Sequence, residues 1–217
     1  MKRNYDTNNI LEEIHDYCVD VGNRQIYLHD NVKEDSDEGI DFRVATRFIK
    51  NMAQLETSTN SEAIVIHMFT SGGDCDAGFA IYDCIKTSKC HITIVCHGCC
   101  MSMGTVILQA ADERISMPNC TFMFHEGSSQ IGGTHKQTQV WPEYIKALQS
   151  KTVDIYVEKA KESEVCKGMT EKRIRGYIQG NFDKKEDWIL SAEETLRHGF
   201  IDKILTDNEF KDFVQRN

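Results

Sequence analysis

Hydrophobic and polar residues follow two different rhythms along the chain. Short apolar runs rich in β-branched residues, of the length typical of buried strands, occupy residues 24–29, 63–69, 91–96 and 121–124. Apolar residues at helical spacing predict helices over residues 11–17, 35–57, 76–87, 102–111 and 141–161. Ser191 and Glu194 have the spacing of a capping box and predict one more helix that stops at Gly199. Strands that alternate with helices predict parallel pairing in a layered α/β fold.

One stretch, residues 92–111, contains no Asp, Glu, Lys or Arg and is nominally long enough to cross a bilayer. His97, Gly98, Ser102 and Gln109 interrupt it, which favours a buried strand, a tight turn and a buried helix. The first residues, MKRNYDTNNILEE, lack the apolar core of a signal peptide. We therefore expect a soluble, cytoplasmic protein that does not bind membranes.

Charge and cysteine content narrow the function classes. With 34 acidic against 25 basic side chains the formal net charge is −9, which disfavours a nucleic-acid partner. Nine cysteines, an odd number, indicate reduced thiols in a cytosol. Cys96 and Cys99 form a lone CxxC with no second pair to complete a zinc site, so buried thiols are favoured and neither metal nor cofactor is expected. Two prolines and no low-complexity linker predict a single domain over residues 1–217.

The two turns that contain glycine carry the candidate chemistry. Ser102 follows a strand and a glycine turn at the start of a predicted helix, where backbone N–H groups favour negative charge. A serine in this place is more often a helix N-cap. Gly72 and Gly73 close another strand, so the N–H groups of Gly73 and Met103 could form an oxyanion hole. The alternative is that the glycine pair only makes a turn.

A histidine at the end of a strand is the candidate base. His125 follows the apolar run 121–124, where it could be a satisfied edge residue or a base beside Ser102. His67 lies inside a strand and is interpreted as structural, and His97 is too close to the turn to approach Ser102 correctly.

Five segments, in order, resemble the proteolytic subunit of the ATP-dependent Clp protease. They cover most of residues 24–205 and are 70–83 (TSGGDCDAGFAIYD), 98–104 (GCCMSMG), 123–125 (MFH), 187–192 (DWILSA) and 194–205 (ETLRHGFIDKIL). The resemblance implies a crotonase-like layered β/α superhelix, with a protruding handle helix at about residues 126–163. It also implies a serine endopeptidase with Ser102 as nucleophile, His125 as base, Asp187 as acid, and Gly73 and Met103 as the oxyanion hole.

The resemblance also implies partners. These are unfolded polypeptide substrates, a homo-oligomer of stacked rings with heptamers as the candidate ring size, and an AAA+ unfoldase. Asp187 is preferred over Asp183 and Asp202 as the acid because it precedes Ser191 by four residues, as the acid of the family does. The chain order of serine, histidine and aspartate also differs from the order in α/β-hydrolases.

Two further features bear on substrate and assembly. The small residues Gly127, Ser128, Gly132 and Gly133 predict that a substrate strand pairs there through main-chain hydrogen bonds, although a flexible loop has the same composition. The stripe of Ile145, Leu148, Thr152 and Ile155 is expected to pack either between rings or against its own core.

Departures from the family pattern indicate a divergent member. Ser71 and Gly127 replace prolines, Glu186 replaces an arginine, the interval from His125 to Asp187 is long, and residues 1–23 do not match. Three alternatives use the same fold: a phage-type maturation or signal-peptide-type peptidase, a catalytically inactive ring subunit, and an acyl-CoA enzyme. The presence of Ser102, His125 and Asp187 together disfavours the last two.

Overall fold

The computed structural model describes residues 11, 14–30, 39–57, 62–128 and 132–206, and its centre is a single sheet of eight strands. The strands are β1 (Val19–Asp20), β2 (Gln25–His29), β3 (Ile64–Thr70), β4 (Ile92–Met101), β5 (Glu113–Ser116), β6 (Thr121–Phe124), β7 (Trp188–Leu190) and β8 (Lys203–Ile204). All four predicted strands are confirmed. Strand β8 lies in the closing segment 201–205 (IDKIL), whose pattern is that of a strand. The short strands β1, β5 and β7 were not predicted, because two to four residues are too few to show a periodicity.

A helical turn at residues 14–17 precedes six helices in the described ranges. They are α1 (Phe42–Glu56), α2 (Cys75–Lys86), α3 (Met103–Leu108), α4 (His135–Ala160), α5 (Glu171–Lys185) and α6 (Ala192–Arg197). The capping box predicted at Ser191 and Glu194 opens α6. Helix α5 was not predicted, since only Ile174, Ile178 and Phe182 are buried in a strongly polar segment.

The strand order is β1-β2-β3-β4-β5-β8, and every neighbouring pair along it is parallel except β1 with β2. The predicted parallel pairing is therefore confirmed. Strand β6 pairs in parallel with the last residues of β4, and β7 pairs antiparallel with β6. This branch carries the chain to the edge where β3 and β4 end.

Strand β4 corrects the prediction of a strand over 91–96 followed by a glycine turn. It continues through Gly98, which has a φ of +57°, to Met101. Opposite this glycine the register with β3 shifts between Met68 and Thr70. The first half of β4 pairs with β5 and the second half with β6, so one bent strand serves both parts of the sheet.

Two predicted helix starts were wrong. Helix α1 begins at Phe42 rather than residue 35, because the Asp41 side chain caps the N–H groups of Arg43 and Val44. Ile40 is buried as its spacing suggested, but it lies in a bridge to Gly73, and residues 31–38 are outside the described ranges.

Helix α4 begins at His135 rather than at residue 141, because Thr134 and Gln137 form a capping box. Pro142 therefore lies inside the helix instead of in its first turn. Its missing N–H leaves one carbonyl in a solvent-exposed stretch, where water can bond to it.

The uncharged stretch 92–111 forms the buried β4 and α3, as predicted, and Cys96 and Cys100 pack in the core beside them. No helix in the described ranges combines the length and the apolar character needed to cross a membrane. The second half of α4 packs on the core through Val153, Tyr156 and Val157, whereas its first ten residues are exposed. The first part of helix α4 therefore protrudes from the body of the protein.

Candidate active site

Ser102 lies at the junction of β4 and α3 with a backbone that few L residues adopt, φ +50° and ψ −125°. It occupies the N-cap position of α3, but its side chain does not cap the helix. Instead its Oγ lies 2.7 Å from Nε2 of His125. A strained backbone that directs a hydroxyl at an imidazole is typical of a functional residue rather than of a helix cap.

Strand pairing places His125 beside Ser102. Met101 of β4 pairs with Met123 of β6, and the Ser102 N–H donates to the Met123 carbonyl oxygen at 2.8 Å. His125 is the first residue after β6 and is held by its neighbour Phe124, which packs in the core against Tyr156, Trp188 and Phe200. The two residues are thus brought together by adjoining ends of one β ladder.

Asp187 approaches the other ring nitrogen of the histidine. Its Oδ1 lies 3.3 Å from Nδ1 of His125. The antiparallel pairing of Phe124 with Trp188 brings the residues next to them, His125 and Asp187, to the same end of the β6–β7 ladder. The two other acids considered from the sequence form no ion pair with His125 among the described residues. Asp202 forms an ion pair with buried Arg114, and Asp183 is exposed near the end of α5.

The glycine pair after β3 packs directly against the Ser102 backbone. A Cβ on Gly72, whose φ is +108°, would lie 2.6 Å from the Ser102 Cβ and 2.9 Å from the Met101 carbonyl oxygen. Ile40 fixes the turn from the other side, since its N–H donates to the Gly72 carbonyl oxygen at 2.6 Å and its carbonyl accepts from the Asp74 N–H at 2.8 Å. Only glycine fits this approach.

Two N–H groups at this junction stay available. In the part of the chain that the structure describes, neither the Gly73 N–H nor the Met103 N–H donates to a protein acceptor. Gly72, which precedes Gly73, packs closely on Met103: a Cβ placed on Gly72 would lie 3.1 Å from the Met103 nitrogen. The two N–H groups therefore belong to segments that are in contact. Two free donors beside a serine oxygen are what an oxyanion site requires.

A cavity of about 610 Å³ opens beside His125 and Asp187. Gly127 and Ser128 line it, together with the carboxylates of Glu126, Asp183 and Glu186. Gly132 and Gly133, the other two residues considered for substrate binding, instead precede α4, where Gly133 lies against the Gln137 side chain. The structure therefore brings two of the four small residues to the site.

Two supporting residues were missed by the sequence interpretation. The Thr105 hydroxyl donates to the Ser102 carbonyl oxygen at 2.6 Å and lies 2.7 Å from the Tyr156 hydroxyl. Burial raises the pKa of Tyr156, so it remains a neutral donor to Thr105. Thr105 could have been suspected from its place three residues after Ser102, but only the packing of α4 brings Tyr156 there.

The histidines set aside from the sequence lie within the sheet. Nδ1 of His67 is 3.0 Å from Nε2 of His97, and the His67 ring stacks on Tyr27. Burial lowers the pKa of His67 to about 4. No group of three or more potential metal ligands occurs among the described residues.

Comparison with known proteins identifies the family. A profile of the family described as Clp protease matches residues 21–208. The ATP-dependent Clp protease proteolytic subunit of Streptococcus pyogenes is 30% identical over 176 residues, covering 79% of this chain and 83% of that protein. The subunit of the same name from Deinococcus radiodurans is 29% identical over 168 residues, 76% of each chain.

A solved structure shows the same fold. A ClpP1 mutant from Listeria monocytogenes superposes with a TM-score of 0.67 and 22% identity, covering 87% of this chain and 95% of that one. The crotonase-like fold predicted from the sequence is therefore confirmed. The chain belongs to the Clp protease family, as a divergent member of these serine-type peptidases.

Proposed function

We propose that this protein is an endopeptidase that hydrolyses peptide bonds of unfolded polypeptides through Ser102, His125 and Asp187. The observation that carries the proposal is the 2.7 Å contact between Ser102 Oγ and His125 Nε2, made by a serine with strained backbone. Asp187 on the opposite ring nitrogen favours the tautomer with its proton on Nδ1, which leaves Nε2 to accept the serine proton.

The reaction follows from these positions. Ser102 Oγ attacks the substrate carbonyl carbon while His125 takes its proton, and the N–H groups of Gly73 and Met103 stabilise the resulting oxyanion. The imidazolium then donates the proton to the leaving amine, which departs and leaves an acyl-enzyme on Ser102. Water, deprotonated by His125, releases the second product and restores the serine.

The contact between serine and histidine favours a peptidase over the other functions considered for this fold. An acyl-CoA enzyme of the same fold needs the glycine turn and its free N–H groups, but it has no need for a serine within hydrogen-bond distance of a histidine. A subunit that had lost catalysis would be under no constraint to keep Ser102 in a costly backbone conformation. Both features favour a functioning peptidase.

Substrate binding is proposed for the segment that begins at Glu126. Gly127 and Ser128 line the cavity beside His125, and among the described residues no atom lies within 4 Å of a Cβ placed on Gly127 or Gly132. A substrate backbone could therefore approach and pair with this segment, giving main-chain recognition with broad sequence tolerance. A complex with a peptide chloromethyl ketone should show main-chain hydrogen bonds to residues 126–134, and their absence would contradict this assignment.

A cytoplasmic homo-oligomer of stacked rings, working with an AAA+ unfoldase, is the proposed assembly. It is supported by the protruding part of α4, which exposes Val140, Trp141 and Tyr144. Light scattering of the active enzyme should give a mass several times the 24.8 kDa of one chain. A monomer at full activity would contradict the proposal.

Labelling with a fluorophosphonate tests the catalytic assignment. The native protein should be labelled on Ser102, and Ser102→Ala should lose labelling together with about a million-fold in turnover of a fluorogenic peptide. Ser128→Ala changes an exposed serine of the cavity beside His125 and leaves the main-chain groups of residue 128 in place, so it is the matched control and should still be labelled. Near-normal cleavage by Ser102→Ala would refute the proposal.

A further inference from the structure

The turn that carries Gly73 is tied to the end of a different strand by one carboxylate. Asp30 directly follows β2, and its Oδ2 accepts from the Ser71 N–H at 2.8 Å and from the Ser71 hydroxyl at 2.5 Å. Its Oδ1 accepts from the Thr70 hydroxyl. Asp30 thus holds two consecutive residues of the turn by three hydrogen bonds, all to a charged acceptor, which are stronger than neutral ones.

The hydrogen bonds from Asp30 continue to the first glycine of the turn. Buried Thr70 Oγ1, while donating to Asp30, accepts the Gly72 N–H at 3.0 Å. The hydrogen bonds run from Asp30 through Thr70 to Gly72, and each residue in the turn before Gly73 has its position fixed. The next N–H along the chain, that of Gly73, donates to no protein acceptor among the described residues.

The identity of residue 71 explains why such a tie is needed. Proline at this place, as in the family that the chain resembles, would fix its own φ and would hold the preceding residue in the extended conformation. Ser71 imposes neither restriction and adds an N–H and a hydroxyl, both of which Asp30 accepts. The carboxylate therefore supplies by hydrogen bonding the restriction that the ring of proline supplies covalently.

We propose that Asp30 is a positioning residue for the reaction, holding residues 70–73 so that the Gly73 N–H is directed at the substrate oxyanion. The inference rests on the proposed function, in which Gly73 and Met103 stabilise that oxyanion. Both carboxylate oxygens of Asp30 are occupied by donors of the turn, so their charge stabilises the turn. Asp30 acts through Thr70 and Ser71 and does not touch the substrate.

The experiment compares three variants on a fluorogenic peptide. Asp30→Ala should lower kcat by roughly 10- to 100-fold with little change in KM, since the oxyanion donor is retained but no longer held; deleting such a donor costs roughly 10²- to 10³-fold. The double variant Asp30→Ala with Ser71→Pro should recover most of kcat, because proline restores the restriction. Asp83→Ala removes an exposed carboxylate of α2 and should leave kcat unchanged.

Three results would overturn the inference: an unchanged kcat in Asp30→Ala, a loss expressed in KM alone, or a double variant no faster than Asp30→Ala. The double variant also lacks the Asp30 carboxylate. If it recovers kcat, removal of that carboxylate does not by itself unfold the protein. Ser102→Ala is assayed in parallel. Its inactivity beside a fully active Asp30→Ala would leave the proposed function standing and reject only the role of Asp30.

Discussion

The two sides of His125 are built differently. On one side, Ser102 is fixed by a continuous backbone ladder in which β4 pairs with β6, and the two side chains meet at 2.7 Å. On the other, Asp187 follows Glu186, which has a φ of +59°, and its side chain is 56% exposed and 3.3 Å from the ring. The nucleophile and base thus directly follow two strands that pair with each other, whereas the acid lies in an exposed connection between α5 and β7.

This difference indicates what each side contributes. A contact between residues at the ends of two paired strands keeps its geometry without substrate, so proton transfer from Ser102 needs little rearrangement. An exposed carboxylate is screened by water, so its charge contributes less than its orientation of the ring. We call the Ser102 side of His125, with the strands β3, β4 and β6 that hold it, the sheet side. Loss of a residue on the sheet side should therefore lower activity more than loss of the acid.

The largest effect is expected for the base itself. His125→Ala removes the only group within hydrogen-bond distance of Ser102 Oγ among the described residues, so turnover of a fluorogenic peptide should fall by about a million-fold. His135→Ala, at an exposed position on α4, is the matched control and should retain activity. A loss no greater than that of the Asp187 variant below would break the proposed difference between the two sides.

Loss of the exposed acid should lower activity less than loss of the base, and only Asp187, not Asp183, should have this effect. Asp187→Asn keeps the size of the side chain but favours the wrong tautomer of His125, which costs about four orders of magnitude in a well-studied triad. Asp183→Asn, a carboxylate lining the same cavity, should change activity little. Assays on correctly assembled variants that gave the reverse ranking would move the acid to Asp183.

Much of this site could be predicted from the sequence, because local patterns mark where strands end. Ser102, His125 and the glycine pair each follow an apolar run, and parallel strands end at the same edge of a sheet. Asp187 came from spacing to Ser191 within one short segment. What these residues share is that the signal lies within a few positions of the residue itself.

The supports of the site could not be predicted, because they depend on contacts between distant segments. Ile40 has helical spacing with Val44 and Phe48, and nothing in that pattern shows that it forms a bridge to Gly73. Asp30 is 40 residues from Thr70 in sequence, and Tyr156 is 51 from Thr105. The length of β4 was missed because a glycine in a strand looks like a turn, and only the pairing with β6 shows otherwise.

An intermediate effect is expected where the glycine turn meets the sheet side. Gly72→Ala places a Cβ 2.6 Å from the Ser102 Cβ at a φ of +108°, so either the serine or the turn must move. The kcat should fall by roughly 10²- to 10³-fold through disturbance of the oxyanion donors. Gly180→Ala in α5, where a Cβ meets nothing within 4 Å, should leave kcat unchanged and stabilise the helix by up to about 1 kcal/mol. Equal activity of the two variants would contradict the close packing of the turn on Ser102.

The smallest effect concerns the stability of the strands that hold the sheet side. His67 in β3 and His97 in β4 contact each other before the strands reach the site, and burial lowers the pKa of His67 from 6.5 to about 4. Well above pH 6.5 the His67 ring is neutral in both the folded and unfolded states, so its protonation does not lower the free energy of unfolding. As the pH falls from 6.5 towards 4 the unfolded chain takes up the proton first, and stability decreases by up to about 3 kcal/mol, at about 1.4 kcal/mol per pH unit.

His67→Phe keeps a ring to stack on Tyr27 and should remove most of this dependence in denaturant unfolding at pH 7 and pH 5. His91→Phe alters an imidazole that is 57% exposed and should keep the dependence of the native protein. The same loss of stability at pH 5 in His67→Phe and in the native protein would show that this partly buried histidine pair does not make the sheet sensitive to acid.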